Sequence, residues 1–270
     1  MLQDSLVNSV AYFIKNDSVK YDVKYNFSIL EKNDTIKNTT VDGSFLIKIK
    51  DSTATNYIIN WKYLPTKDTN SILNKPFHIL YETDELGAFK QILNTNEIFQ
   101  QLRDQIYPDC LRNELEFIKK LVQLGINKTL EKEIFPMIEN ILMTDIFTFH
   151  NFFGGAYFIN KPNWGTTETE NPINKKNVET TIVVTVEDIL DDNEYYVISS
   201  SSRTDKNAMK QILQKDFKMV NDSVTDFAND SYITQVVHNS GWPVEIELYN
   251  ELIIGELSSN KHIYYIIKNE

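Results

Sequence analysis

Cysteine is nearly absent from this chain of 270 residues. Cys110 stands alone, which excludes an intrachain disulfide and any multi-thiolate metal site. Glycine is scarce too, and the eight glycines never fall into a phosphate-cradling or dinucleotide-binding pattern. The Gly-x-Ser-x-Gly elbow of the α/β-hydrolases is missing. No apolar run reaches the roughly 18 residues of a membrane-spanning helix, and no charged start followed by an apolar stretch marks an export signal. Positive charge is in deficit: 27 Lys and Arg face 38 Asp and Glu, a net charge of −11. Such a field repels phosphate backbones and anionic membrane surfaces, so nucleic acid is not expected as a partner.

What is abundant is alternation. Val19, Tyr21, Val23, Tyr25, Phe27 and Ile29 are apolar at every second residue, while Lys20, Asp22, Lys24, Asn26 and Ser28 take the other face. That is the pattern of a half-buried β-strand. Val41 to Ile49 and Tyr57 to Tyr63 repeat it, with a fourth strand at Phe77 to Tyr81 and a fifth at Phe89 to Leu93. Residues 19–93 thus read as an antiparallel meander. From Ile98 the spacing becomes helical. Helices are expected through Leu111 to Gly125 and Leu130 to Met143, the latter kinked by Pro136, which makes 96–147 a helical block. The aromatic run from Ile146 to Ile159 reads as helix end, turn and strand.

The stretch 160–177, polar and carrying Pro162, Gly165 and Pro172, reads as the longest loop. Residues 178–270 supply a hairpin (Val178 to Ile189, Tyr195 to Ser201), a helix from Asp205 to Asp226, and a second meander (Tyr232 to His238, Val244 to Ile254, Ile263 to Ile267). Runs of strands separated by helices indicate a single α+β domain, with N- and C-terminal antiparallel meanders forming curved sheets against a central block of helices.

Candidate chemistry is thin. His78, His150, His238 and His262 have no spacing that would seat a metal, and each reads as structural. Cys110 near a helix start and Glu245, Glu247 and Glu251 on one strand face have plain readings as an incidental thiol and a solvated face. No catalytic group, metal or cofactor is assigned. The Asn-x-Ser/Thr sites at Asn16, Asn26, Asn33, Asn38, Asn127, Asn221 and Asn229 reflect abundant Asn, Ser and Thr rather than glycosylation.

Only the aromatics point to a site. Tyr25, Phe45, Trp61 and Tyr63 fall on inward positions of successive strands, so one sheet face is broad and aromatic. Either the helices close it into a core, or incomplete cover leaves a cavity for a hydrophobic ligand, with the loop bearing Trp164 as a lid. The ligand-binding candidates are therefore Tyr25, Phe45, Trp61, Tyr63 and Trp164.

The segment Ser240, Gly241, Trp242, Pro243 between two strands, with Tyr21 to Ile29, Gly43 to Ile49 and the Asp84 to Gly87 turn, resembles uncharacterised extracytoplasmic proteins of Gram-negative bacteria. Many of these are lipoproteins, similar in turn to curved-sheet lipoprotein carriers. The resemblance covers about a third of the chain in short pieces and carries over no catalytic residue. It implies a non-enzymatic, extracytoplasmic protein that binds a hydrophobic small molecule, lipid or lipidated partner on its aromatic face. The alternatives are a protein-interaction or structural module bound to another envelope protein, and an enzyme assembled from distant residues. The expected location is periplasmic or cell-surface if an export signal precedes the mature chain, and cytoplasmic otherwise.

Overall fold

The computed structural model describes residues 2–3, 6–65, 77–101, 143–170, 177–190, 194–205 and 227–268. The chain starts with β1 (Leu2–Gln3) and β2 (Leu6–Asn8), then the meander β3 (Ser18–Glu31), β4 (Asp34–Ser52), β5 (Asn56–Leu64), β6 (Phe77–Asp84) and β7 (Phe89–Ile92). A short helix α1 (Thr95–Gln101) and a second, α2 (143–149), follow. After them come β8 (Ala156–Phe158), β9 (Asn163–Glu170), β10 (Asn177–Leu190) and β11 (Tyr195–Thr204). The chain ends with β12 (Phe227–His238), β13 (Pro243–Ile254) and β14 (Leu257–Ile267).

Strands make up 71% of the described residues and helices 7%, so the expected α+β class is overturned: what is described is a mainly β fold. No block of helices backs the sheet among the described residues; two short helices are present. The helices expected at Leu111 to Gly125, Leu130 to Met143 and Asp205 to Asp226 lie, but for the terminal residues Met143 and Asp205, outside the described residues, as does Cys110.

The two meanders are one sheet. Its order is β7-β6-β5-β4-β3-β14-β13-β12-β11-β10-β9, antiparallel throughout, and β14 joins the halves by pairing with β3, Ile263 opposite Tyr25. The loop expected at 160–177 is also corrected, because Asn163–Glu170 forms strand β9 at the sheet edge, with Thr167 opposite Thr180. An edge strand needs pairing on one side only, so a polar, threonine-rich segment suffices. The β3 to β4 hairpin turns through Lys32 and Asn33, both at positive φ (53° and 70°), which matches the right-handed twist of its strands.

The sheet is strongly bent. His150 contacts Tyr81 on β6, while the next residue, Asn151, hydrogen-bonds Ser200 on β11. These strands are seven positions apart in the sheet, roughly 34 Å if it were flat. Neighbouring residues span that distance only if the sheet wraps around them. Bulges at Ile29/Leu30, Ile49/Asp51, Val186/Asp188 and Val236/Val237 assist the bending. β1, β2 and β8 form a separate three-stranded sheet.

Candidate functional site

The hollow of the sheet is filled by α2 and the turn after it. On the β3 to β6 side, Tyr21, Phe45 and Trp61 stack in series with ring centroids 5.2 and 4.1 Å apart, and Phe149 of α2 meets Tyr21 and Trp61 edge-on. On the β10 to β12 side, Phe152 packs with Val186, Ile198 and Val237.

Polar contacts set the plug's position. Asp145, 4% exposed, accepts hydrogen bonds from the hydroxyls of Tyr25, Tyr63 and Tyr265, each at 2.7 Å. Burial pushes the Asp145 carboxyl above its usual range, and the three tyrosine donors pull the other way. The same burial, with the neighbouring carboxylate, raises all three phenols well above theirs. His150 lies between the Gly87 carbonyl (Nδ1, 2.7 Å) and the Tyr81 hydroxyl (Nε2, 2.8 Å). The carbonyl can only accept, so Nδ1 carries the hydrogen and the tyrosine donates to Nε2. Burial lowers the His150 pKa to about 4. Gln235 donates to the carbonyls of Thr148 (2.6 Å) and Phe149 (3.2 Å), capping the last turn of α2.

The structure therefore brings Tyr25, Phe45, Trp61 and Tyr63 together around the plug. Phe45, Trp61 and Tyr63 are fully enclosed, and Tyr25 keeps a half-buried ring with its hydroxyl on Asp145. Of the two arrangements left open by the sequence, the closed core is the one found. Trp164 joins none of them. It sits on the outer face of edge strand β9, 71% exposed, so it is no lid over this face.

An open cavity lies elsewhere, at the rim. Residues 6–13 run as a strap across the end of the bent sheet. Ser9 exchanges backbone bonds with Gly154 and Gly155, the Ala11 N–H donates to Leu86, and the Tyr12 N–H donates to Ser240. Between this strap and the ends of β10 to β12 opens a cleft of about 310 Å³, lined by Val7, Val10, Tyr12, Ile189, Tyr195 and Tyr196, with His238 and Asn239 at its polar side. Tyr196 donates to Ser9 Oγ (3.0 Å), and burial lifts its pKa to about 12, so it stays a neutral phenol. The His238 ring packs on Tyr195 with centroids 5.0 Å apart. Gly241 shapes the wall: at φ +85°, a Cβ there would stand 2.6 Å from the Val10 carbonyl oxygen.

None of the cleft residues carries a sequence pattern that marks it for binding. His238 read as structural, and the Ser240 to Pro243 turn stood out only by resemblance. Asp145 does carry a signal, as a lone acid inside the apolar run 141–149. Among the described residues no three His, Cys, Asp or Glu side chains come together as metal ligands.

No family model matches the chain, and no characterised protein matches its sequence. Among solved structures, one titled "Lipid-protein interactions in lipovitellin" is weakly similar, at 11% identity and a TM-score of 0.47. The similarity covers 95% of this chain and 25% of that one, so the chain spans about a quarter of the neighbour's length. The lipid in that title is lipovitellin's.

Proposed function

We propose that this protein is a non-enzymatic binding protein for an apolar or lipid-like molecule, and that the ligand occupies the rim cleft rather than the aromatic inner face. The observation that carries the reading is the cleft itself, about 310 Å³ with mainly aliphatic and tyrosine walls and a few polar groups at one side. This is the composition of small-molecule sites and the low end of their size range. Among the described residues the inner face is filled by the protein's own α2 segment. An extracytoplasmic location belongs to the same proposal, supported by the resemblance around Ser240 to Pro243.

The test is displacement of a lipophilic fluorescent dye, combined with native mass spectrometry of the gently purified protein. Uptake of the dye with a single site, abolished by filling the cleft with Ile189→Trp, is the expected result. A protein that takes up no dye and retains no small molecule refutes it. The interaction-module reading has its own support in the edge of β9, unpaired among the described residues, and in Trp164 standing 71% exposed beside it.

A further inference from the structure

Tyr195 and His238 of the rim cleft, paired across β11 and β12, also line a second, open hollow of about 500 Å³. Its other walls include Lys20, Lys268, Ser240, Trp242 and Val244. Among the described residues the first cavity is lined without Lys, Arg, Asp or Glu, and the second has two lysines.

Those lysines are placed unusually. The Lys268 N–H donates to the Lys20 carbonyl at 2.9 Å, continuing the ladder of β14 on β3, so the two residues lie opposite one another. Like charges directly opposite across two strands destabilise a sheet. Asp22 offsets part of this, 3.5 Å from Lys268 Nζ. His238 adds a donor. Its Nδ1 receives the Ser240 N–H (3.2 Å) and lies 2.7 Å from Ser240 Oγ, so the ring hydrogen of the neutral form is on Nε2.

From this juxtaposition we infer that the ligand is a single-chain amphiphile with an anionic head, its tail in the cleft and its head on the ledge formed by Lys20, Lys268 and His238. The inference rests on the cleft reading above and adds the chemistry of the head. Charge complementarity selects the sign, and a cleft at the low end of ligand cavities suits one alkyl chain rather than two. The shared wall of Tyr195 and His238 is where the two parts of such a molecule would meet.

The experiment compares dodecanoate, dodecanol and dodecyltrimethylammonium, three probes with one chain and different heads, by titration of the full chain with calorimetry. Dodecanoate is expected to bind about tenfold more tightly than dodecanol, the size of effect that one or two partly exposed ion contacts give. The cation is expected to bind more weakly still. The double variant Lys20→Gln, Lys268→Gln is expected to erase the advantage of dodecanoate and leave dodecanol binding unchanged. Circular dichroism and a thermal melt establish that the variant is folded. Binding of dodecanoate and dodecanol with equal affinity, or acetate binding as well as dodecanoate, overturns the inference while leaving each reading separable. If none of the three dodecyl probes binds, the cleft reading itself fails.

Discussion

The two wings of the sheet face the same plug in different ways. In β3 to β6 the inward positions are long and aromatic, Tyr21, Phe45, Trp61, Tyr63 and Tyr81 all being fully enclosed. In β10 to β12 the inward positions alternate with small and hydroxylated side chains, such as Thr180, Ser200 and Thr204, with Gln235 reaching the backbone of α2. One wing holds the plug by volume, the other by allowing it close. Asn151 can bond Ser200 because nothing larger stands there. The contrast shows how one helix fits a bent sheet: bulk on one wall, small and hydroxylated residues on the other.

The sharpest way to break this contrast is Asp145→Ala. Three buried hydroxyls, from β3, β5 and β14, lose their shared acceptor at once, and a loss of about 3–5 kcal/mol in urea unfolding is expected. A loss below about 1 kcal/mol would mean that the tyrosines hold the plug by packing alone.

Acidity sharpens it next. The unfolded chain binds a proton at His150 near pH 6.5, whereas the folded protein resists it down to about 4. Between those values the unfolded state holds more protons, so this stability is full above pH 6.5 and is lost as pH falls through the window. The expected contribution is about 3 kcal/mol. The raised Asp145 carboxyl works in the opposite sense, losing stability as pH rises from 3.8. Denaturation at several pH values should therefore show a shallower pH slope in His150→Gln than in the natural protein. Equal slopes would remove His150 from the account.

The smallest effect is expected at the other edge. Trp164→Ala should change stability by less than about 0.5 kcal/mol, because an exposed ring on an edge strand gives up little packing. A larger loss in a thermal melt would show that the β9 wing is as tightly packed as its counterpart.

The same contrast explains what the sequence discloses. Long apolar side chains alternating with Lys and Asp make β3, β4 and β5 legible, and they place Tyr25, Phe45, Trp61 and Tyr63 on one face. β9 was not legible, since Thr166, Thr167 and Glu168 carry no apolar period and Gly165 sits among them. The union of two meanders was not legible either. Nothing local to Tyr25 or Ile263 marks them as partners, because strand pairing at long range depends on a whole edge and not on a motif. The rim cleft arises where four separate stretches, near residues 7–12, 189, 195–196 and 238–241, converge. No single stretch looks like a site on its own.

The β3 to β14 seam also governs how the chain comes into being. During synthesis β3 leaves the ribosome long before its partner, and Tyr25 waits for Ile263. Until then a fourteen-residue strand rich in tyrosine and valine keeps one edge unpaired, an invitation to neighbouring chains. Long-range pairing of this kind slows folding and leaves a nascent chain open to aggregation until the partner strand is made.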